Sequence, residues 1–254
     1  MLRGEAMATL NHSPGMSKCF YEITFEKICM DPLAFIFDLN GTMIDDMEYH
    51  ADTWSDILNN DLHAGLTRDE VKREMYGKNS ELLDRVFGEN YFSADKINEL
   101  SFEKERRYQK AFLPNLSLIK GLGEFLAKAD NEGIKMAIGT AAITFNIDFV
   151  VDTLHIRHFF QAIVSADDVI KSKPDPETFI KCATLLGVPK ESCIVFEDAP
   201  KGVEAARNAG MKCVVITTMH PEEDFKNYEN VILFIENYAS LDPQMIAKKL
   251  FQKQ

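Results

Sequence analysis

Apolar and polar residues follow three successive patterns along the chain. Residues 33–37, directly before Asp38, are five consecutive apolar residues, which predicts a short strand buried on both faces. From residue 47 to about 115 the apolar positions recur at helical spacing. After residue 121, helical stretches alternate with short apolar runs. This succession predicts one strand, then a helical segment, then an alternation of helices and strands.

The helical segment, residues 47–115, predicts four helices and no strand. His50 shares the apolar face of the first helix. The last helix spans residues 94–112 and carries Lys104 within its apolar stripe. A buried lysine is costly unless its ammonium group reaches an anion or snorkels to water, and both interpretations of Lys104 stay open. For His50, a packed core position and a position facing a ligand are likewise both open.

The alternating part of the chain predicts a parallel sheet covered by helices on both faces. Predicted strands lie at residues 134–138, 162–164, 193–196, 212–216 and 231–235. Predicted helices lie at residues 144–153, 175–186 and 201–209. The fold class is therefore α/β, with a doubly wound, parallel, Rossmann-like core and an inserted four-helix cap domain. We expect residues 31–46 and 116–254 to form the core and residues 47–115 to form the cap.

Residues 1–30 show no sustained hydrophobic period, which is typical of a disordered N-terminal extension. They also lack the basic and then apolar arrangement of a secretory signal, and the sequence holds no apolar run of the roughly 18 residues that a membrane helix needs. We therefore expect a cytoplasmic protein.

Composition narrows the classes of partner. The 254 residues are 46% hydrophobic and 27% charged, which is ordinary for a globular protein. The net charge of -12 opposes binding to nucleic acid and to anionic membranes. The five cysteines form no Cys-x-x-Cys pair, which argues against a disulfide framework and a zinc site. We expect a monomer or weak homo-oligomer that binds a small molecule.

Polar residues follow several predicted strands. Asp38, Thr140 and the pair Glu197 and Asp198 each come after a strand, and Lys173 precedes a predicted helix. Because the carboxyl ends of parallel strands share one edge of the sheet, these groups are expected to lie close together. Carboxylates, a hydroxyl and an ammonium group together suit a phosphate site that contains Mg²⁺. Thr140 could instead serve only as a helix N-cap.

Four motifs carry a resemblance to a known family. They are DLNGT at residues 38–42, GTAA at 139–142, KPDP at 173–176 and FEDAPKGVEAARNAG at 196–210. In this order they resemble the motifs of the haloacid dehalogenase superfamily, and the last resembles its beta-phosphoglucomutase-like branch with a helical cap. The resemblance covers about residues 33–235.

The resemblance implies phosphoryl transfer through an aspartyl-phosphate, with a small phosphorylated metabolite such as a sugar phosphate as substrate. Asp38 would be the nucleophile. The implied Mg²⁺ ligands are Asp38, Asn40 through its backbone carbonyl, Glu197 and Asp198. For Glu197 two other positions are also open: it could contact the metal ligands without binding the metal, or it could face solvent. Implied contacts to the substrate come from Thr140, Ala141, His50, Lys104 and Lys173.

Two departures from the family pattern bear on activity. Members that transfer phosphate usually have a second aspartate as general acid and base where this chain has Asn40, and loss of such help commonly costs about 10²–10⁴-fold in rate. Three explanations of Asn40 stay open. The chain could be an engineered variant, it could act on substrates whose leaving group needs little protonation, or it could be a non-catalytic protein that binds a phospholigand. After Gly77 the chain continues Lys78-Asn79-Ser80-Glu81, and the arginine with which sugar-phosphate mutases hold the distal phosphate has no match there, although Lys78 could substitute as a point charge. This favours a phosphatase over the alternative, a hexose phosphate mutase.

Overall fold

The computed structural model describes residues 32–251. The predicted extension, residues 1–30, lies outside the described residues. Within them the strands form a single parallel sheet. They are β1 (Ala34–Phe37), β2 (Lys135–Gly139), β3 (Ala162–Val164), β4 (Cys193–Glu197), β5 (Lys212–Ile216) and β6 (Val231–Ile235). The strand order is β3-β2-β1-β4-β5-β6, which confirms the predicted Rossmann-like fold class.

Helices cover both faces of this sheet. After β1 come α1 (Met47–Asp56), α2 (Arg68–Glu74), α3 (Asn79–Phe87) and α4 (Ala94–Phe112). Later in the chain come α5 (Leu122–Asn131), α6 (Thr144–Thr153), α7 (Glu177–Leu186), α8 (Pro200–Ala209) and α9 (Pro243–Phe251). None of these helices has both the length and the apolar character needed to cross a bilayer.

The core occupies both faces of the sheet because β1 is buried on both. Phe35 and Phe37 belong to one hydrophobic cluster, while Ala34 and Ile36 belong to the other. This split follows from the alternation of side chains along a strand. Phe37 also stacks on Phe196 of β4, with ring centroids 4.6 Å apart. Tight packing on both sides fixes the end of β1, where the polar residues begin.

Helices α1 to α4 have a hydrophobic cluster of their own. It contains Trp54, Ile57, Leu58, Val71, Leu82, Leu83 and Leu100. A short π-helical segment, Ile57–Asp61, extends α1, and Thr67 with Glu70 forms a capping box at the start of α2. No strand occurs in this described stretch between β1 and β2. The separate cluster agrees with a cap, while the division at residues 47 and 115 stays a prediction.

Several element boundaries differ from the sequence prediction by one or two residues, and two of them lie next to the candidate site residues. The second strand extends through Gly139, one residue beyond the predicted end, because its ladder with β3 pairs Gly139 with Val164. Helix α7 begins at Glu177 rather than at Asp175, since the Asp175 side chain accepts a hydrogen bond from the Glu177 backbone N–H at 3.0 Å. The later start leaves Lys173 in the loop before the helix.

Candidate active site

Asp38 lies at the carboxyl end of β1, where the strand order reverses. Its backbone N–H donates to the Phe196 carbonyl at 2.9 Å, so pairing with β4 continues to this residue. The Lys173 ammonium group donates to Asp38 Oδ1 at 2.6 Å and to Glu197 Oε1 at 2.8 Å. Burial raises the pKa of Asp38 to about 7 against the opposing effect of Lys173, and Glu197 adds to the rise.

Glu197 and Asp198 follow β4 and differ in their contacts. Glu197 Oε2 accepts hydrogen bonds from the backbone N–H groups of Asp198 at 2.8 Å and Ala199 at 2.7 Å. A Cβ on Gly202 would lie 1.6 Å from Glu197 Oε1, so only glycine leaves room for this carboxylate against α8. Glu197 is 2% exposed and therefore does not face solvent.

Asp198 lies against the loop that follows Asp38. Its Oδ1 accepts a hydrogen bond from Thr42 Oγ1 at 3.1 Å. Gly41 has φ 75°, and a Cβ there would lie 2.1 Å from Asp198 Oδ2. Glycine is thus required both by the left-handed turn and by the close approach of the carboxylate. Burial, with the charges of Glu197 and Asp38, raises the pKa of Asp198 well above its usual value.

The same loop carries Asn40 and Asp46, which are joined by a hydrogen bond. Asn40 Nδ2 donates to Asp46 Oδ2 at 2.6 Å, and the Tyr108 hydroxyl donates to the same oxygen at 2.5 Å. The Gly41 N–H donates to Asp46 Oδ1 at 3.2 Å. Burial works to raise the pKa of Asp46, but interaction with His50 and the hydrogen bonds from Tyr108 and Asn40 outweigh it and hold that pKa below its usual value.

These contacts fix the orientation of the Asn40 amide. An ionised carboxylate only accepts hydrogen bonds, so the amide branch that faces Asp46 must be the NH₂ group. The carbonyl Oδ1 is then the part of the Asn40 side chain that remains for a ligand. Asn40 therefore offers an acceptor to the cavity and has no acidic proton to exchange.

His50 links this loop to α4. Its Nδ1 lies 2.6 Å from Lys104 Nζ, and its Nε2 lies 3.1 Å from Asp46 Oδ2. An ammonium group only donates, so Nδ1 accepts from Lys104 and Nε2 carries the proton that is donated to Asp46. The His50 ring also stacks on Tyr108 at a centroid distance of 3.9 Å. Lys104 is 3% exposed, so its ammonium group does not snorkel to water.

A cavity of about 160 Å³ lies between the sheet edge and helices α1, α3 and α4. Its wall includes every residue that the sequence predicts for the site, namely Asp38, Asn40, His50, Lys104, Thr140, Ala141, Lys173, Glu197 and Asp198. Thr140 Oγ1 also accepts a hydrogen bond from the Ala142 N–H at 3.2 Å, so its hydroxyl fixes the local turn. The structure brings the predicted residues together, and their roles remain predictions.

The acidic cluster fits a hard divalent cation. Asp38, Glu197 and Asp198 each offer a buried carboxylate oxygen, and these oxygens lie within 4.8 Å of one another. Buried carboxylates at this spacing repel one another, which agrees with the raised pKa values of Asp38 and Asp198. Oxygen ligands are those that Mg²⁺ prefers. Since both Glu197 oxygens already accept hydrogen bonds, Asp38 and Asp198 suit direct ligation better.

Comparison with known proteins identifies the family. The haloacid dehalogenase-like hydrolase family matches residues 35–216, most of the chain. The chain is a haloacid dehalogenase-like hydrolase. It is 34% identical over 195 residues to a beta-phosphoglucomutase of Bacillus subtilis, covering 74% of this chain and 84% of that one. It is 32% identical over 183 residues to the fructose-1-phosphate phosphatase YqaB of Escherichia coli, covering 71% and 94%.

A solved structure supports the same assignment. The beta-phosphoglucomutase of Clostridium difficile superimposes with a TM-score of 0.74 at 25% identity, covering 86% of this chain and 97% of that chain. Since the relatives of this hydrolase include both a phosphatase and phosphomutases, membership shows an enzyme of this family that acts as a hydrolase or phosphomutase. It does not separate the two activities.

Three residues of the site were not predicted to belong to it. They are Asp46, Tyr108 and Glu105. Glu105 lies at the position after Lys104 and three before Tyr108, on the buried side of α4. The spacing of Glu105 from buried residues of α4 was the signal in the sequence that it is buried. Glutamate is usually exposed, and for that reason its burial was not predicted.

Proposed function

We propose that this haloacid dehalogenase-like hydrolase is a Mg²⁺-dependent phosphatase that acts on a small phosphorylated metabolite such as a sugar phosphate. The observation that carries the proposal is the environment of Asp38. Its buried carboxylate lies within the acidic cluster, contacts the Lys173 ammonium group and lines a cavity. A nucleophile, a cation and metal ligands are the groups that phosphoryl transfer requires.

The proposed reaction has two steps. A carboxylate oxygen of Asp38 attacks phosphorus and the ester P–O bond breaks, which forms an aspartyl-phosphate and releases the substrate oxygen as an alcohol or a stable anion. Water then attacks the phosphorus of the aspartyl-phosphate, releases inorganic phosphate and regenerates Asp38. Lys173 neutralises charge on the transferring phosphoryl group, while Thr140 and the Ala141 backbone are proposed to orient it.

Mg²⁺ bound by Asp38, Asp198 and the Asn40 backbone carbonyl would offset the repulsion between the nucleophile and the phosphoryl oxygens. Glu197 is proposed to act mainly by holding Lys173, since it accepts a hydrogen bond from that ammonium group at 2.8 Å. The helical segment, residues 47–115, is proposed to act as a cap that excludes water from the cavity.

Asn40 limits which leaving groups are expelled quickly. Its amide cannot donate a proton to the departing oxygen, so an alkoxide must take its proton from another source. The leaving groups of acyl phosphates and pyrophosphate depart as stable anions. These substrates are therefore expected to react faster than simple alkyl phosphates. The same amide is the observation that favours a second candidate, a protein that binds a phospholigand without turnover.

Steady-state phosphate release from sugar phosphates, acyl phosphates, pyrophosphate and an aryl phosphate, with and without Mg²⁺, tests the proposal. Asp38→Asn removes the nucleophile at nearly constant shape and should abolish release. Asp45→Asn is the matched control, because Asp45 lies in the same loop but is exposed. Binding of a phosphate analogue without phosphate release from any ester would support the non-catalytic candidate and overturn this proposal.

A further inference from the structure

Lys78 links the helical segment, residues 47–115, to the core loop that carries Lys173. It is the N-cap residue of α3, and its ammonium group donates a hydrogen bond to the Val169 backbone carbonyl at 2.5 Å. Val169 is buried and lies shortly before Lys173 in the chain. A side chain of the helical segment therefore holds the backbone of the loop that brings the ammonium group of Lys173 to Asp38.

A second contact between the two segments lies beside the first. Gly77 has φ 72°, and a Cβ at this position would lie 3.4 Å from the Cβ of Ser172. The same Cβ would lie 2.1 Å from Glu81 Oε2, so the left-handed backbone and the close carboxylate both favour glycine here. Residues 77–78 thus adjoin residues 169–172 at two points, directly before Lys173.

The other side-chain hydrogen bonds to the backbone of this loop come from the core. Among the described residues they join positions 168–174 to α7 and α8: Lys181 donates to the Asp168 carbonyl, Asn208 donates to the Pro174 carbonyl, and Glu177 accepts from the N–H groups of Ile170 and Lys171. The bond from Lys78 is the one that comes from the helical segment. If this segment moves relative to the sheet, the bond must break or the loop must follow.

The contacts of Lys173 depend on where this loop lies. Its ammonium group lies 2.6 Å from Asp38 Oδ1 and 2.8 Å from Glu197 Oε1, and its side chain is buried. A displacement of about 1 Å in a reacting group can cost about a hundredfold in rate, even when the cause lies far from the chemistry. A hydrogen bond that fixes the backbone close to Lys173 therefore bears on the rate of phosphoryl transfer.

The partner of Lys78 separates this role from that of a substrate ligand. Lys78 lines the cavity that holds Asp38, and it also lines a second cavity of about 300 Å³ between α3, α4 and the start of α6. Its ammonium group is directed at the Val169 carbonyl, an acceptor that belongs to the protein. As a point charge Lys78 could instead bind a distal phosphate of the substrate, and the two roles predict different kinetics.

We propose that Lys78 is a positioning residue that holds the Val169 carbonyl and thereby keeps Lys173 at Asp38 while the helical segment covers the cavity. Lys78 acts on the reaction through Lys173 and does not contact the substrate. The covering of the cavity is thus coupled to the completion of the phosphate site, because the loop loses this hydrogen bond when the segment moves away. The inference rests on the proposed function, since it concerns the role that Lys173 has there.

Hydrogen exchange tests whether Lys78 holds the loop, whatever the activity. Lys78→Met removes the donor at similar length, whereas Lys78→Arg keeps a donor. In Lys78→Met the backbone amides of Ile170 and Lys171 should exchange about threefold faster or more, and Lys78→Arg should restore most of their protection. Lys110→Met is the matched control, because Lys110 is an exposed lysine of the same segment, and it should leave this exchange unchanged. Unchanged exchange in a folded Lys78→Met protein overturns the inference.

Steady-state kinetics with the aryl phosphate tests the consequence for Lys173. Lys78→Met should lower kcat about tenfold or more and change KM less than about threefold, and Lys78→Arg should recover most of the loss. In a Lys173→Met background the same change should alter kcat less than about twofold, because the group that Lys78 positions is gone. A rise in KM that persists in that background would assign Lys78 to substrate binding and overturn the inference.

Cooperative thermal unfolding shows which variants are folded. Lys78 is only half-buried, so Lys78→Met is expected to fold. If Lys173→Met does not fold, the division of the effect between kcat and KM decides the question together with the rescue by arginine. Failure of the unmodified enzyme to release phosphate from any ester, the aryl phosphate included, overturns the proposed function, while the exchange of the loop amides still decides whether Lys78 holds the loop.

Discussion

The Asn40 side chain donates a 2.6 Å hydrogen bond from Nδ2 to Asp46 Oδ2. The amide of Asn40 is the donor and the carboxylate of Asp46 is the acceptor. An aspartate at position 40 would instead place two carboxylates at this distance. Like charges this close cannot both ionise readily. The amide at position 40 is therefore tied to the acid at position 46, and changing one residue alone disturbs the other.

A double-mutant cycle tests this pairing. We expect Asn40→Asp to lower the free energy of unfolding at pH 8 by about 1–3 kcal/mol, and Asn40→Asp with Asp46→Asn to recover most of that loss. Turnover should also be higher in the double variant than in Asn40→Asp, because the carboxyl group at position 40 then has an amide donor beside it. The measurements are urea denaturation and kcat/KM for a sugar phosphate. A hundredfold gain from Asn40→Asp alone, with no further gain from the second change, would contradict the pairing.

Tyr108 stabilises Asp46 from α4. Its hydroxyl donates to Asp46 Oδ2 at 2.5 Å, and both groups are buried. Tyr108→Phe keeps the ring and removes this donor, so it should reduce the free energy of unfolding by about 1–3 kcal/mol. Tyr91→Phe is the control, because Tyr91 is exposed. Equal unfolding midpoints in urea for the two variants would refute this role of Tyr108.

Lys173 is held between two acids at the sheet edge. Removal of one partner from a buried ion pair commonly costs about 3–5 kcal/mol, because the remaining charge stays buried. Lys173→Met should therefore lower both the melting temperature and, by about a hundredfold or more, kcat/KM. Lys171→Met changes an exposed lysine two residues earlier and should leave both nearly unchanged. A Lys173→Met protein that retains full phosphate release would exclude the proposed role.

The raised pKa of Asp38 predicts how stability depends on pH in the metal-free protein. Burial raises this pKa from 3.8 to about 7, so the folded state binds its proton more tightly than the unfolded state does. The contribution of Asp38 to the free energy of unfolding thus decreases as pH rises from about 4 to about 7. Added Mg²⁺ should raise the melting temperature more at pH 8 than at pH 5, and Asp198→Asn should reduce that rise. Calorimetry showing equal effects at both pH values would contradict the proposed metal site.

The sequence predicted the sheet well because its strands are buried on both faces. A run such as that ending at Phe37 is unbroken by polar residues and is short, which indicates a central parallel strand. The meeting of Asp38 with Lys173, 135 positions apart, followed from the shared edge of the sheet and from the family motifs. These features depend on patterns that the chain displays directly.

Other contacts in the site could not be predicted in this way. The bond between Asn40 and Asp46 depends on the turn at Gly41, whose closure brings side chains six positions apart together. Tyr108 has an apolar body and a polar tip, and only the structure shows which partner the hydroxyl finds. Glu105 belongs to a class of residue that is usually exposed, so its burial beside Lys104 was not expected.

If Asp38 attacks phosphorus, the enzyme passes through a covalent aspartyl-phosphate, and capture of that intermediate demonstrates the attack. The enzyme would be mixed with Mg²⁺ and a sugar phosphate or an acyl phosphate, quenched rapidly in acid and digested for peptide mass analysis. We expect one added phosphoryl group on the peptide that contains Asp38, none in Asp38→Asn, and normal labelling in Asp45→Asn. Turnover that proceeds with no labelled Asp38 peptide, or that survives Asp38→Asn, would contradict it.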